Sequence, residues 1–301
     1  MNSLSDLTIV IVTYRTDEKV LTDCINSIHN SVKIKIIENS TEFKLKDKFI
    51  SLFTNVEIHC TGKNLGMGSG NNFGIDLIKT RYAFVLNPDT ICDKNFFINI
   101  QNYLNKDINF SIIGATYKNE KTFSSAGYFE ENINNNNHYL NETTGLKKVD
   151  WVMGCSMLID LNNFSSKKLF DESFFLYFEE FDLCKRINDS GKNVFVSKEL
   201  IIDHLGNKGS SQEDPLLKLD TEKLRNWHWM WSTFYFHKKN YGYFSAFRKT
   251  YGKVFRSFVK VLFFSITFNK KQKAIYLSRM LGLLSSMIGK KSSYRVNSLF
   301  Q

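Results

Sequence analysis

The chain has 301 residues, of which 43% are hydrophobic and 23% charged. This is enough apolar material for one large domain with an appendage, or two small domains, and it argues against an intrinsically disordered chain. The net charge of +10 is unevenly spread, because residues 216–301 hold 17 basic and 2 acidic side chains, a net +15, and leave −5 for the remainder. So basic a segment predicts contact with an anionic surface, either a membrane or a nucleic acid.

The cysteines and the N-terminus bear on the compartment. The five cysteines are odd in number, widely spaced and without a Cys-x-x-Cys pair, which favours a reducing cytoplasm over a disulfide framework or a zinc site. The first residues have no basic start and lead directly into a strand-like run, so no signal peptide is expected. The longest apolar stretch of the basic segment, residues 261–268, is far shorter than the roughly 20 residues of a spanning helix. Attachment to a membrane surface is the most that it predicts.

The first part of the chain alternates strand patterns with helix patterns. Apolar runs predict strands at residues 7–12, 32–37, 56–60 and 82–86, and helical spacing follows the first and third of them at residues 20–28 and from about 71 to 78. Such alternation indicates a mostly parallel sheet covered on both faces, with ligands beyond the carboxyl ends of its strands. The pattern weakens over residues 96–150, where residues 131–141 read as an exposed loop.

A polar turn follows the fourth predicted strand. In Asn87-Pro88-Asp89 the proline ends strand pairing and leaves the Asp89 carboxylate at the sheet edge. An oxygen ligand in that place suits Mg²⁺ or Mn²⁺ carrying a diphosphate. The same three residues also form ordinary turns, so the motif by itself leaves that interpretation open.

Three carboxylates, those of Glu179, Glu180 and Asp182, follow an aromatic run at a predicted helix start. Acidic side chains in a first turn often interact only with the helix dipole. The apolar setting adds something more, because a carboxylate beside aromatic rings resists ionisation and can act as a base near neutral pH. A base of that kind is what the activation of a sugar hydroxyl requires.

Two further features have a structural and a functional interpretation. His204 follows a strand-like run at residues 193–196 and could coordinate a metal, although a lone histidine is more often structural. The glycine-rich residues 66–71 lie between a strand and a helix, but Asn71 stands where the third glycine of a dinucleotide fingerprint would fall. They therefore predict a glycine-rich helix entry, whose N–H groups could still approach a phosphate.

With these motifs in this order, residues 7–240 resemble glycosyltransferase family 2, especially its rhamnosyltransferase-like bacterial members. The segments that carry the resemblance are Val10 to Tyr14, Glu38-Asn39-Ser40, Asn64-Leu65-Gly66 to Asn72, Asn87-Pro88-Asp89, Trp151-Val152-Met153-Gly154 and Phe170-Asp171-Glu172 to Arg186. The resemblance implies a GT-A fold, an α/β architecture with a Rossmann-like mixed sheet. On this basis residues 1–215 are predicted as the catalytic domain and residues 216–301 as a helical extension.

The resemblance also implies a role for each matching residue. The catalytic base falls on Glu180, where the family usually has aspartate, and Glu179 is the second candidate. Asp89 and His204 would hold Mg²⁺ or Mn²⁺, with Ser210 or Ser211 in the place of a serine that often follows. The expected donor-binding residues are Thr13, Tyr14, Glu38, Asn39, Asn64, Gly66, Asn72 and Asn87. On the acceptor side the resemblance places Trp151, Gly154 and Asp182.

The implied activity is inverting transfer of a sugar, with rhamnose as a candidate, from a nucleoside-diphosphate donor. The acceptor would be a glycan or lipid-linked molecule in cell-surface polysaccharide synthesis. A nucleotidylyltransferase would instead carry a glycine-rich signature after its first strand, where this chain has Thr13 to Thr16. A catalytically impaired protein that binds sugar nucleotides or acts as a scaffold stays open, because Asn87 replaces the first carboxylate of the family's metal motif and Glu180 replaces an aspartate.

The C-terminal segment combines aromatic and basic residues over 226–243, and helical apolar spacing continues through Phe255, Val259 and Leu262. Helices on anionic membrane surfaces have this composition, so the protein is predicted at the inner, cytoplasmic face of the cell membrane. The alternative is that the aromatic rings pack on the catalytic domain. No signature of a nucleic-acid-binding domain is present, so no nucleic-acid partner is expected. The sequence does not indicate an oligomeric state.

Overall fold

A computed structural model describes residues 4–106, 108–118, 125–133, 140–141, 144–206 and 215–295. These residues form two compact units. The sheet unit consists of the described residues within Met1–Leu65, Ser69–Phe170 and Glu180–Ser211. The helical unit consists of the described residues within Gly66–Gly68, Asp171–Glu179 and Gln212–Gln301. The predicted serine ligands, Ser210 and Ser211, lie outside the described residues.

The regular elements have the following bounds. The strands are β1 Leu7–Thr13, β2 Lys33–Glu38, β3 Val56–Cys60, β4 Tyr82–Leu86, β5 Thr90–Cys92, β6 Ile112–Tyr117, β7 Ala126–Gly127, β8 Leu140–Asn141, β9 Leu146–Val149, β10 Trp151–Val152, β11 Ser156–Asp160 and β12 Val194–His204. The α-helices are α1 Glu18–Asn26, α2 Lys46–Leu52, α3 Met67–Asp76, α4 Phe96–Asn105, α5 Glu179–Asp189, α6 Pro215–Tyr241, α7 Tyr243–Ile266 and α8 Lys270–Met287.

The large sheet is mixed and has the strand order β3-β2-β1-β4-β11-β6-β12-β9-β8, with β5 paired to β12. Strands β1 to β4 pair in parallel, whereas β11 runs antiparallel to both β4 and β6. Because β2 and β4 lie on opposite sides of β1, the strand order reverses at β1. Such a reversal opens a crevice beyond the carboxyl ends of the strands, where ligands bind in open α/β sheets.

Strand β1 is buried along its whole length and shows how the two sheet faces are filled. Side chains alternate between faces along a strand. Ile9 and Ile11 belong to the main hydrophobic cluster, together with residues of α1, α2 and α4. Val10 and Val12 point to the other face, where a Cβ on Gly74 would lie 2.4 Å from Val10 Cγ1. The glycines of α3 thus allow this helix to pack closely on the sheet.

This close packing explains a difference from the predicted helix boundary. The sequence indicated a helix from about residue 71, but α3 begins at Met67 and includes the glycine-rich stretch. A Cβ on Gly70 would come within 2.9 Å of Val12 Cγ1 and 3.1 Å of Asn39 Nδ2. The weak helix propensity of glycine is therefore outweighed by contact with the sheet, and the prediction of a glycine-rich helix entry is confirmed.

The segment whose pattern looked weak contains a helix and a central strand. Helix α4 buries Phe96, Ile100 and Tyr103 against the main cluster. Strand β6 lies between β11 and β12. Strand β12 is also longer than the predicted run, because a register shift between Val196 and Ile201 lets it continue to His204.

The helical unit is built from α6, α7 and α8, which share a core of Met230, Phe234, Ala246 and Leu283. Helices α6 and α8 approach closely, since a Cβ on Gly282 would lie 2.2 Å from the Trp227 carbonyl oxygen. Trp227 and Trp231 are only 6% and 3% exposed, so these two aromatic residues pack inside the unit. Among the described helices, none is long and apolar enough to cross a membrane.

A short aromatic turn in the helical unit comes directly before α5. Tyr177 and Phe178 both have left-handed backbone angles, with φ of 68° and 69°, which is unfavourable for bulky side chains. Two rings of α6 hold this turn: Trp229 contacts Tyr177 and Phe178, and Phe236 contacts Phe178. Nearby, Gly66 also has a positive φ, and a Cβ there would lie 2.2 Å from the Phe175 carbonyl oxygen. Packing against α6 therefore stabilises the backbone that leads to Glu179 and Glu180.

Candidate active site

Three predicted donor-binding residues meet at the carboxyl ends of β1 and β2. The Thr13 hydroxyl donates to Glu38 Oε2 at 2.6 Å, and the Asn39 N–H donates to the Thr13 carbonyl at 2.8 Å. All three residues are buried. The parallel pairing of Thr13 with Glu38 places them at the same edge of the sheet. A hydrogen-bonding cluster thus forms at the predicted crevice.

The other predicted donor-binding residues make different hydrogen bonds. Tyr14 is linked to Asn64 by a side-chain hydrogen bond, and burial raises the pKa of its phenol. Asn72 spans both polar groups of the Phe170 backbone: its Nδ2 donates to the carbonyl at 2.8 Å, and its Oδ1 accepts from the N–H at 2.9 Å. Asn72 therefore fixes the chain ahead of the acidic helix. Its contact with a donor stays a prediction, as do those of Tyr14, Asn64 and Gly66.

The structure brings Asp89 and His204 together. The Nε2 atom of His204 lies 3.3 Å from Asp89 Oδ1, and the side chains are 23% and 4% exposed. Antiparallel pairing of β5 with the end of β12 produces this contact, because His204 lies opposite Thr90. The Leu205 N–H also donates to the Asp89 carbonyl at 2.9 Å. Residues separated by more than a hundred positions are thus held side by side by backbone bonds.

Tyr117 and Cys155 connect this pair to the rest of the site, and neither was among the residues predicted from the sequence. The Tyr117 ring stacks on the His204 imidazole with centroids 5.8 Å apart, and its hydroxyl lies 3.6 Å from Cys155 Sγ. Burial raises the pKa of Cys155 to about 12, with smaller contributions from the charges of Asp89 and Glu180. Cys155 therefore lies within electrostatic range of both carboxylates. The apolar run that ends at Tyr117 was the only available signal.

Asn87 lies at the end of β4, where its backbone is fixed on two sides. Its N–H donates to the Cys155 carbonyl at 2.9 Å, and its carbonyl oxygen is 3.6 Å from Cys24 Sγ. The side chain is partly exposed. The turn that carries Asp89 is therefore anchored at its first residue.

Glu180 lies in the first turn of α5, against the segment that follows β10. A Cβ added to Gly154 would lie 3.3 Å from Glu180 Cβ and 3.6 Å from its Cδ, so any larger residue would crowd the Glu180 side chain. The Trp151 ring packs on Phe181 at 4.8 Å. The predicted acceptor-side residues Trp151 and Gly154 thus border the predicted base.

The surroundings of Glu180 shift its ionisation. One carboxylate oxygen, Oε2, is shielded from solvent and has no hydrogen-bond partner among the described residues. Loss of solvation raises the pKa of Glu180 from 4.5 to about 7, while the backbone N–H groups of Glu180 and Phe181 oppose the rise. A carboxylate with a pKa in this range can accept a proton near neutral pH. The sequence-based argument from the aromatic setting therefore has a physical counterpart in the fold.

The neighbouring carboxylates have different surroundings. Asp182 is fully buried, and its Oδ2 accepts from Arg186 Nε at 2.9 Å. This ion pair spans one turn of α5 and stabilises the helix. Glu179 is 9% exposed and directly follows the left-handed turn. The roles of Glu179 and Asp182 stay predictions.

The raised pKa of Glu180 predicts a stability effect with a defined sign. The folded state binds the proton more tightly than the unfolded state, so ionisation destabilises the fold progressively as pH rises from about 4.5 to above about 7. Glu180→Gln removes that penalty and should stabilise the protein at pH 8 by on the order of 1–3 kcal/mol, with little effect at pH 4.

Urea unfolding at both pH values measures this difference. The exposed Glu42 provides a matched control, since Glu42→Gln should change stability by less than about 0.5 kcal/mol at either pH. A Glu180→Gln protein that is no more stable than the wild type at pH 8 would contradict the buried, proton-binding environment.

A divalent cation fits the Asp89 and His204 pair in part. The two side chains offer one carboxylate and one imidazole on converging atoms, a donor set that suits Mn²⁺ and accommodates Mg²⁺. Within the described ranges no third His, Cys, Asp or Glu completes a protein-only cluster. An ion at this place would therefore take its remaining ligands from water and from diphosphate oxygens, as Mg²⁺ sites with nucleotides commonly do.

Solved structures with a similar architecture define the class of fold. GalNAc-T7 with UDP, GalNAc and Mn²⁺ matches with a TM-score of 0.57 and 12% identity, over 78% of this chain and 51% of its own, so this chain spans about half of its length. The mannosyltransferase PcManGT from Pyrobaculum calidifontis, in complex with GDP-Man and Mn²⁺, matches with a TM-score of 0.55 and 7% identity, over 95% of this chain and 88% of its own. These likenesses confirm the predicted GT-A fold.

The family follows from the sequence itself. Residues 8–162, just over half of the chain, match the family model of Glycosyl transferase family 2, and the chain belongs to that family of glycosyltransferases. The low-salt glycan biosynthesis hexosyltransferase Agl10 of Haloferax volcanii is 26% identical over 69% of each chain. The rhamnosyltransferase WbbL of Escherichia coli K12 is 23% identical over 61% of this chain and 77% of its own. The predicted resemblance to family 2 is thereby confirmed.

Proposed function

We propose that this glycosyltransferase moves a hexose or deoxyhexose from a nucleoside-diphosphate donor to a hydroxyl of a glycan or lipid-linked acceptor, with inversion at the anomeric carbon. Glu180 is the base, and Asp89 with His204 holds Mg²⁺ or Mn²⁺. The observation that carries the proposal is the buried Glu180 carboxylate, whose pKa is near neutrality. This carboxylate and that of Asp89 both act electrostatically on the Cys155 thiol, so the proposed base and the proposed metal ligand belong to one site.

In this reaction Glu180 accepts the proton of the acceptor hydroxyl while that oxygen forms a bond to the anomeric carbon. The bond from this carbon to the diphosphate oxygen breaks, and its electron pair leaves with the nucleoside diphosphate. Because attack and departure occur on opposite faces, the configuration inverts. A Cβ at residue 154 would lie 3.3 Å from Glu180 Cβ, so the absence of a side chain on Gly154 leaves room for the base beside this segment.

The residues at the carboxyl ends of β1 and β2 are the proposed binding site of the donor. Thr13, Glu38 and Asn39 form a buried polar cluster of the kind that fixes a base and ribose. The cation, when bound, would supply Lewis-acid neutralisation of the charge that develops on the departing diphosphate. Asp89 is oriented for this role by the Leu205 backbone and by the His204 ring, which Tyr117 supports.

The identity of the sugar is proposed from the relatives. One relative is a hexosyltransferase of glycan biosynthesis and the other a rhamnosyltransferase, so we place rhamnose among the candidate sugars and surface-glycan synthesis as the setting. A lipid-linked acceptor would be met at the inner face of the cell membrane. Metal dependence is in keeping with the Mn²⁺ in both solved structures of this fold.

Calorimetric titration with UDP, dTDP and GDP, each with and without Mn²⁺, tests the donor site. We expect one nucleotide to bind at least tenfold more tightly with Mn²⁺, because a cation held by Asp89 and His204 would offset the negative charge of the diphosphate. Product analysis with the corresponding nucleotide sugars then identifies the sugar. Absence of binding by all three nucleotides under both conditions would sink the donor site, and nucleotide binding without transfer to any acceptor would favour the impaired scaffold.

A further inference from the structure

Helix α7 carries a continuous apolar stripe on its exposed surface. Its members recur every three or four residues, close to one helical turn, and are 43–76% exposed; they are Phe244, Phe247, Tyr251, Phe255, Phe258, Leu262 and Ile266. The helix packs instead through small residues on another side, including Ala246, Thr250 and Ser257. Exposed aromatic and aliphatic side chains in an unbroken row are a recognised mark of an interaction surface.

A row of basic side chains runs along the same helix on a different side from the α7 stripe. At 100° per residue, Lys249, Lys253, Arg256 and Lys260 lie roughly 150° round the helix from the middle of the stripe, next to the packed side. Arg248 lies at the edge of the stripe itself. Helices α7 and α8 contain no acidic residue, so nothing on them neutralises this charge. The helix therefore presents an apolar surface on one side and a cationic surface on another.

We propose that the α7 stripe and its basic row dock on an anionic lipid bilayer, with the helix lying in the interface. Bulky apolar residues on one side and Lys and Arg on the next are the composition of interfacial helices. The excess of basic over acidic side chains on α7 and α8 favours an anionic partner over a second copy of the same basic surface. The aliphatic Leu262 and Ile266 in the stripe favour acyl chains over nucleic-acid bases, which stack on aromatic rings. The biological reason for the contact rests on the proposed function, since a lipid-linked acceptor lies in a bilayer.

Co-sedimentation of the full chain with vesicles tests the contact. We expect binding to phosphatidylcholine vesicles that contain phosphatidylglycerol, weakening with salt, and much weaker binding to phosphatidylcholine alone. The double change Phe255→Gln with Leu262→Gln should lower the partition coefficient by roughly tenfold or more. The double change Lys249→Gln with Arg256→Gln should lower it by roughly tenfold on anionic vesicles at low salt.

The control is a pair of equally exposed apolar residues in the sheet unit. Leu52 and Ile98 are 58% and 59% exposed, and Leu52→Gln with Ile98→Gln should leave vesicle binding unchanged. Equal vesicle binding by the wild type and by the Phe255 and Leu262 variant would overturn the proposal. It would also be overturned if the wild type formed a dimer in sedimentation, or bound an oligonucleotide, and this variant alone did not. Nucleotide binding is measured by titration without vesicles. Loss of nucleotide binding would contradict the donor site, whereas loss of vesicle binding would contradict the membrane contact.

Discussion

Glu180→Gln is expected to lower the rate of sugar transfer by about 10²–10⁴-fold, because the amide cannot accept the acceptor proton. Glutamine matches glutamate in size, so the tight fit beside Gly154 is kept. Affinity for the nucleoside diphosphate should change little, since Thr13, Glu38 and Asn39 at the other strands are untouched. Steady-state transfer and calorimetric donor binding, measured on the same preparation, separate the two effects.

Glu179→Gln is the matched comparison for this experiment. The two residues are adjacent in the first turn of α5, so both variants remove one carboxylate from the same helix end. We expect Glu179→Gln to retain far more activity than Glu180→Gln. Transfer that survives in Glu180→Gln and is lost in Glu179→Gln would move the base to Glu179, and equal losses would assign the effect to the charge of the helix end.

The second large effect is expected from Asp89. Asp89→Asn keeps the size of the side chain but removes the charge that would bind a divalent ion. The gain in nucleotide affinity on adding Mn²⁺ should fall by about ten- to hundredfold, while binding without metal should persist. Calorimetric titration with and without Mn²⁺ measures both quantities directly.

Asp203 offers a control one residue from His204. Its side chain is exposed on β12, next to the residue that contacts Asp89, so Asp203→Asn removes an equal charge from the same strand. The Mn²⁺ effect should be intact in this variant. His204→Ala should behave like Asp89→Asn, because the metal would lose its nitrogen ligand. A full Mn²⁺ effect in Asp89→Asn would refute the proposed metal site.

The exposed surface of the C-terminal helices is where the structure most refines the sequence-based interpretation. The tryptophan-rich segment, residues 226–243, suggested a membrane-facing surface, but Trp227 and Trp231 are buried within the helical unit. Trp229 of α6 stays 42% exposed, but most of the exposed apolar side chains of the helical unit belong to α7, where Phe255, Val259 and Leu262 were predicted. Composition cannot separate packed from exposed aromatic residues, because both use the same side chains.

Sequence alone determined several elements in the first half of the sheet unit. Runs such as residues 56–60 and 82–86 coincide with β3 and β4, because local alternation and turn residues specify strands strongly. The motifs at Asp89, Glu180 and His204 could be found for the same reason, since each lies at an end of a regular element. The acidic helix start also followed from local pattern, and α5 begins at Glu179 as expected.

Tertiary structure decided which of these residues meet. The 3.3 Å contact of Asp89 with His204 depends on β5 pairing with the far end of β12 after a register shift. Tyr117 and Cys155 enter the site only because β6 and β11 become neighbours in the middle of the sheet. The aromatic run predicted an apolar setting for Glu180, but the burial that raises its pKa to about 7 comes from the fold. Long-range strand pairing and desolvation depend on residues distant in the chain, so only the folded protein determines them.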